Sequence, residues 1–469
     1  MIKFGTSGFR GIIGDNFNKE NLYKLGYALK VLNNKLQFKK ITLGYDNRFL
    51  SVQFLKWFLE AFYSENIDIV FYSRSVPSPL ISYESKNNNL GIIITASHNP
   101  YEYNGIKIFL NAQEPSSEIA LDIENLANSI NYEDISFIPF NEIQKKKNFK
   151  FSTSIENYSN SVLNLIDKEK INKNIKVCYN NMYGSALECA RYIFDKLGLE
   201  KVKILNDNID PYFNFRLPAP YENNLTEQVE FIVKNNYDIG FAVDGDGDRF
   251  TAIDKSGKIY NCNYIMAIMY YYFLKYKNYK GDIVLDVAIT GLINKIAEKF
   301  NFKALDSVHG FKNIGNNILN SSAFMGGESN GIAFKEHLLT KDGIVTIPIL
   351  LEILSQTKMS LTELVELLEK ELNYKSVLKE VNFNLTLKEK ENLNKQIFID
   401  KKVTELKDNI IKISYFDGLK ITFENNYWLC IRFSGNENVI RVFIEQDTEK
   451  HCDEILLELQ KQYNLYNIQ

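Results

Sequence analysis

Apolar and polar positions fall into two rhythms along the chain. From Lys19 to Leu36 apolar residues recur at spacings of three and four, which predicts an amphipathic helix. Short runs rich in Ile, Val and aromatic residues at 41–45, 68–72 and 90–96 predict buried strands. Ser51 is placed to cap a helix after the first of them, and Pro77-Ser78-Pro79 predicts a turn after the second. This alternation predicts parallel sheet covered by helices. It restarts with strands at 175–179, 202–205 and 239–243 and helices at 186–197 and 226–234. A third unit follows, with a helix at 264–274, a strand at 283–287 and a helix at 292–300. Over the last hundred or so residues the period changes. Segments 410–414, 419–423 and 427–433 alternate every second position and predict an antiparallel sheet.

Length divides this rhythm into domains. A chain of 469 residues predicts three or four domains at about 100–150 residues each. The polar run Gln144-Lys145-Lys146-Lys147-Asn148 reads as a solvated linker near the first boundary. With 55 basic and 58 acidic residues the net charge is −3, which argues against nucleic acid or an anionic membrane as the main partner. Five scattered cysteines fit neither a disulfide framework nor paired metal spacing, so a reducing cytoplasmic setting is expected. The first residues show no apolar core of signal-peptide length, and the most apolar stretches, 265–274 and 345–354, are shorter than a bilayer span.

Candidate chemistry sits where strands end. The run 90–94 delivers Thr95-Ala96-Ser97-His98-Asn99-Pro100 into a turn, placing a hydroxyl at the end of a rigid strand. Ser97 lies outside a GxSxG elbow, and His98 reads equally as a ligand-orienting or a structural residue. The strand 239–243 ends in Asp244-Gly245-Asp246-Gly247-Asp248-Arg249. Two charges about 4 Å apart cost on the order of 4 kcal/mol at an effective dielectric of 20, so three carboxylates at one tip call for a divalent ion. An all-oxygen set favours Mg²⁺ over zinc. An EF-hand is excluded, because its sixth position would be Arg249 and its twelfth Lys255. Phe4-Gly5-Thr6-Ser7-Gly8-Phe9-Arg10-Gly11 reads as a surface loop or as a backbone that lies close to an anion held by Arg10. Arg432-Phe433-Ser434-Gly435-Asn436-Glu437 with Arg441 reads as an ordinary hairpin or as an anion grip. No Gly-rich nucleotide loop is present.

Together these stretches resemble the α-D-phosphohexomutase family, in order, from Phe4 to Arg441. Ser97-His98-Asn99-Pro100 resembles its phosphoserine loop and Asp244 to Arg249 its magnesium loop. Gly326 to Gly331 resembles its sugar loop and Arg432 to Arg441 its phosphate loop, while 4–11, 44–48, 104–107 and 310–312 also fit. The resemblance implies a four-domain architecture. Residues 1–150, 151–250 and 251–370 would form three related α/β mixed-sheet domains and 371–469 a smaller α+β domain, with the site in a central cleft. It implies catalytic roles for Ser97, Arg10, Lys107 and His98. It further implies one Mg²⁺ per chain on Ser97, Asp244, Asp246 and Asp248. Substrate would meet Arg249, Gly310, Lys312, Glu328, Ser329, Asn330, Arg432, Ser434, Gly435, Asn436 and Arg441.

The implied reaction interconverts hexose 1- and 6-phosphates through a sugar 1,6-bisphosphate, in a cytoplasmic monomer or homodimer without nucleic-acid or membrane partners. A phosphatase and a non-catalytic sugar-phosphate sensor are the rivals. Two departures from the family stand out. Gly327-Glu328-Ser329-Asn330-Gly331 replaces Gly-Glu-x-Ser-Gly, and Asn436 and Asn438 replace Thr and Pro in the phosphate loop. His337 matches, loosely, a histidine that the family places after the sugar loop. Residues 4–11 and the sugar loop sit closer to glucose and mannose mutases than to glucosamine mutases.

Overall fold

The computed structural model describes residues 1–5, 8–402, 406–424, 426–434 and 438–466. It divides into two compact units: Met1–Cys262 with Asn330–Thr362, and Asn263–Ser329 with Glu363–Gln469.

The first unit carries two sheets. Six strands build the first: β1 (Phe9–Ile12), β2 (Lys40–Tyr45), β3 (Asp68–Tyr72), β4 (Leu90–Ile94), β5 (Tyr103–Leu110) and β6 (Phe149–Ser152), in the order β1-β5-β4-β2-β3-β6. The pairs β2–β3, β2–β4 and β3–β6 are parallel, whereas β5 runs antiparallel to both β4 and β1. The sheet is therefore mixed, as the family resemblance implies, although the strand–helix alternation by itself reads as parallel. The run from Pro100 to Tyr103 is too short for a crossover helix, so β5 folds straight back on β4. The Lys-rich run at 145–147 leads directly into β6 on the same sheet, so it is an exposed turn rather than a linker.

The helix Lys19–Leu36 covers this sheet. Asn18 caps it by accepting from the Asn21 amide, and Gln37 ends it in the left-handed region. Its Leu22, Leu25 and Leu29 enter a core with Phe54, Phe58 and Ile92. The helix after β2 spans Ser51–Phe62, but Ser51 does not cap it. The preceding Leu50 has φ 60°, and the Ser51 hydroxyl instead donates to Asp46 Oδ1 at 2.8 Å. The Pro77-Ser78-Pro79 turn is the start of a helix, Ser78–Glu84, whose early Pro lacks a donor the first turn leaves unused.

The second sheet of this unit comprises β7 (Lys176–Asn180), β8 (Lys201–Leu205), β9 (Ile239–Val243), β10 (Phe250–Asp254) and β11 (Ile259–Tyr260), in the order β11-β10-β9-β7-β8. It too is mixed, because β10 hairpins back on β9 across the Asp-Gly-Asp-Gly-Asp turn.

In the second unit, Ile283–Asp286 lies between Ala304–Ser307 and Met325–Glu328, parallel to both. A separate five-stranded antiparallel sheet follows. Val377–Asn384 pairs with Val439–Gln446, then come Trp428–Phe433, Leu419–Phe423 and Ile410–Ser414. The helix Glu449–Tyr463 packs Ile455 and Leu459 on it. The alternation read from 410–433 thus forms the predicted sheet. Its partner strand Val377–Asn384 went unread, because its residues are mostly half-buried on both faces and show no clean period of two.

Candidate active site

Strand β4 carries Thr95-Ala96-Ser97 off the sheet, and Ser97 adopts φ 52°, a left-handed conformation rare for a residue with a side chain. Such strain persists only where the surroundings over-determine it, and here they do. The Ser97 amide donates to Thr95 Oγ1 at 2.9 Å, and Thr95 Oγ1 donates to Asp46 Oδ2 at 2.6 Å. The buried Arg48 guanidinium donates to the carbonyls of Ser97, Asn99, Pro100 and Tyr103, between 2.6 and 3.0 Å. Arg48 is thus the clamp of the serine loop. Burial lowers its pKa, and the Asp46 carboxylate 3.3 Å from Nε counters that. Asp46-Asn47-Arg48 at the end of a predicted strand was the only sequence signal for this, and it pointed to no partner.

The serine reaches the acidic hairpin. Ser97 Oγ donates to Asp244 Oδ2 at 2.7 Å, and both residues are buried. The amides of Asp248 and Arg249 donate to the other Asp244 oxygen at 3.0 and 3.1 Å. Lys107 Nζ bridges Asp246 Oδ2 and Asp248 Oδ2 at 2.6 Å each, and Ser78 Oγ also donates to Asp246 Oδ2. Burial, then the charges of Asp248 and Asp246, pushes the Asp244 carboxyl well above its ordinary range. Burial would raise Asp246 as well, but the Lys107 ammonium holds it below that range. Burial weakens the Lys107 ammonium, but Asp246 and Asp248 outweigh it and hold its proton more tightly than in a free lysine.

A histidine lies beside the same hydroxyl, with basic groups around it. His98 Nδ1 lies 3.4 Å from Ser97 Oγ. Burial, then Arg249, Arg10, Lys341 and Lys107, depresses its pKa well below the ordinary value, so the imidazole is neutral near pH 7. Arg10, on β1, donates through Nη1 to Asn99 Oδ1 at 2.5 Å. Gly105 lets β1 and β5 close on the serine strand: a Cβ there would lie 2.5 Å from the Thr95 carbonyl and 2.8 Å from that of Phe9. Arg249 donates to the Tyr221 hydroxyl at 3.2 Å. Lys341, absent from the sequence reading, donates to Asn330 Oδ1 at 2.9 Å.

The three aspartates each offer one oxygen within 4.8 Å of the others. Asp246 Oδ1 and Asp248 Oδ1 are buried without a hydrogen-bond partner among the described residues. Two orphaned carboxylate oxygens beside a third carboxylate and a hydroxyl fit a small oxygen-seeking dication.

The second unit holds its own cluster of predicted residues. Gly310, at φ 103°, precedes the helix Phe311–Leu319, which contains Lys312. Glu328 is buried at the end of its strand and Ser329 follows it, while Asn330 belongs to the first unit. Arg432 and Arg441 face one another across antiparallel strands, and the Ser434 carbonyl accepts from Lys390 at 2.9 Å. Gly435 and Asn436 lie outside the described residues. Two acids that the sequence did not single out meet this set. Asp286 accepts from Arg432 and from His309, and Asp417 accepts from the His309 amide.

His337, the loose match to the family's histidine after the sugar loop, is held by protein groups. It is buried, with Nε2 2.8 Å from Asp342 Oδ2, Nδ1 2.9 Å from Ser161 Oγ, and the rings of Tyr83 and Tyr158 beside it. Both ring nitrogens are therefore engaged, and Asp342 in turn accepts from the amides of Ile344 and Val345. This histidine anchors a fold element rather than a substrate.

Among the described residues no helix is long and apolar enough to cross a membrane. The family models for phosphoglucomutase/phosphomannomutase α/β/α domains I, II and III match residues 1–134, 156–257 and 261–371, and the model for the C-terminal domain matches 380–462. A phosphoglucosamine mutase of Methanococcus maripaludis is 28% identical over 97% of both chains. A phosphoglucomutase/phosphomannomutase of Thermococcus kodakarensis is 29% identical, covering 97% of this chain and 96% of its own. A solved phosphoglucomutase/phosphomannomutase family protein from Burkholderia thailandensis superposes over 100% of both chains with a TM-score of 0.81 at 19% identity, a likeness of fold.

Proposed function

We propose, from the premise that this chain belongs to the α-D-phosphohexomutase superfamily, that it interconverts hexose 1-phosphates and hexose 6-phosphates through a phosphoserine at Ser97. Three α/β domains and a C-terminal domain make up its fold, and a hexose-phosphate mutase reaction is what its relatives' names share. The observation that supports the reading most is Ser97 Oγ, held in a strained loop 2.7 Å from Asp244 and beside two further buried carboxylates.

The roles are those that the family resemblance implies, and the geometry around Ser97 supports those of the residues gathered there. Asp244, Asp246 and Asp248, with an oxygen of the phosphorylated Ser97, would hold Mg²⁺. A divalent cation there neutralises charge that builds on phosphoryl oxygens, at a point where phosphoserine would add about −1.5 to −2 charges to three carboxylates. The phosphorus–Oγ bond of Ser97 breaks as a bond from phosphorus to a sugar hydroxyl oxygen forms, and the proton that hydroxyl loses ends on Ser97 Oγ, with neutral His98 beside Oγ as its carrier. The bisphosphate turns over, and its other phosphoryl group returns to Ser97 Oγ. Lys107, kept protonated by two carboxylates, and Arg10 offer positive charge and hydrogen bonds to the reacting oxygens. Neutral His98 lies beside Oγ as an acceptor, and Arg249 meets the transferring group. Glu328, Ser329 and Asn330 read sugar hydroxyls, and Gly310 and Lys312 help choose among sugars. Arg432, Ser434, Gly435, Asn436 and Arg441 grip whichever phosphate is not transferred.

Glucose and mannose phosphates are the substrates the sequence favours. The Methanococcus relative's name supports a second reading, glucosamine phosphate. A panel of glucose, mannose and glucosamine 1-phosphates, incubated with Mg²⁺ and a trace of the matching 1,6-bisphosphate, separates these by phosphorus NMR. A new 6-phosphate resonance is expected for at least one sugar. Inorganic phosphate without any 6-phosphate would favour a phosphatase, and binding without turnover of any of them would leave only a sensor.

A further inference from the structure

Asp286 ends the central parallel strand of the second unit, and its carboxylate is buried. Oδ2 lies 2.7 Å from His309 Nδ1. Arg432 Nη1 lies 3.1 and 3.2 Å from Oδ1 and Oδ2. Asp417 repeats the pairing more loosely: its Oδ2 accepts from the His309 amide at 2.9 Å and lies 3.7 Å from Arg432 Nη1. Two carboxylates therefore span the same histidine and the same arginine, although His309 and Arg432 come from strand ends 123 positions apart in the chain.

We infer that Asp286 is a positioning residue that sets two substrate-recognition groups against one another, the His309 imidazole and the Arg432 guanidinium. This rests on the mutase reading above. A carboxylate can only accept, so its bond to Nδ1 puts a ring proton there and leaves Nε2 for another partner. The His309 side chain is 31% exposed, so that nitrogen is within reach of a ligand. Arginine carries five N–H donors in a planar fork. Among the described residues only Nη1 is engaged, so the Nε and Nη2 edge is left for an anion while the plane is fixed. Glu328 Oε2, 3.4 Å from the same His309 nitrogen, adds a sugar-loop residue to the anchor.

The arrangement gives the cluster a purpose beyond charge pairing. A phosphate held by Arg432 has a defined span to a hydroxyl bound by His309 only if the two groups share a rigid mount. A bisphosphate that must bind in two orientations uses that span twice. Donor atoms of Asp286, His309 and Glu328 also lie within 4.8 Å of one another, as a metal set would. Arg432 Nη1 already contacts both Asp286 oxygens, however, so the cation here is the guanidinium.

A double-mutant cycle tests this, with the dissociation constants of glucose 6-phosphate and glucosamine 6-phosphate read by calorimetry on the full chain. His309→Ala and Arg432→Lys do not touch one another, so independent effects on Kd would multiply. A shared mount predicts that the double variant loses less than the product, by about threefold or more, a shortfall typical of coupled residues. In an Asp286→Asn background the two effects should multiply. Multiplication in the native background overturns the proposal. That cycle needs no Asp286 variant, so it stands even where Asp286→Asn fails to fold. Turnover by the native chain, followed in parallel, tests the mutase reading by itself: coupling can fail while turnover persists, and turnover can fail while coupling is seen.

Discussion

Lys107 shows most sharply how one side chain serves two demands at this site. Its ammonium spans Asp246 and Asp248 at 2.6 Å each and leaves one oxygen of each carboxylate without a partner. It therefore turns the carboxylates while neutralising part of their charge. Removing one member of a buried ion pair typically costs about 3–5 kcal/mol, because the partner charge stays buried. Lys107→Met should accordingly lower the unfolding temperature sharply in the absence of divalent ions. Saturating Mg²⁺ should recover more stability in the variant than it adds to the native chain, since a bound cation supplies the missing charge. Thermal unfolding with and without Mg²⁺ measures both. Equal stabilisation of the two proteins would mean that the ion binds somewhere other than these carboxylates.

At the scale of elements, the site depends on close backbone approach. Gly343 donates to the Gly247 carbonyl at 3.1 Å, and a Cβ on it would lie 2.5 Å from the Arg249 carbonyl oxygen. A Cβ on Gly331 would instead meet the flexible Lys341 side chain, at 2.8 Å from Cγ. Gly343→Ala should destabilise by about 1–3 kcal/mol, as overpacking does, and Gly331→Ala by less. Chemical unfolding of the two variants checks the order; the reverse order would place the 340–343 segment elsewhere than against the acidic hairpin. The strands that end at Ser97 and at Asp244 were legible because buried runs of Ile and Val announce themselves by composition. Their relative direction was not, since a doubly buried strand reads alike in parallel and antiparallel sheet. Arg48 and Asp286 were missed for a related reason. Each matters through contacts about fifty to a hundred and fifty positions away, between carbonyls or carboxylates that no local spacing reveals. The partners of His337 were not legible either, because proximity along the chain to the sugar loop says nothing about which way a ring points; Asp342, five residues on, decides it.

Across the whole molecule, two polar clusters stand out, one in each compact unit. The first gathers Ser97, three aspartates, Lys107, Arg10 and His98 around one hydroxyl. The second gathers Asp286, Asp417, His309 and Arg432. The first has the groups that phosphoryl transfer requires, and the second has groups suited to holding a phosphate and a polyol. The proposed function carries one specific requirement: under that reading a phosphoryl group resides on the Ser97 oxygen between the two halves of the reaction. Intact-mass and peptide-mass spectrometry after incubation with Mg²⁺ and glucose 1,6-bisphosphate tests this most directly. One phosphoryl group per chain, mapped to Ser97, lost on adding excess sugar monophosphate and absent from Ser97→Ala, is the expected result. Full-rate turnover of hexose phosphates by Ser97→Ala, or a native chain that takes up its phosphoryl group at another residue, would contradict the account.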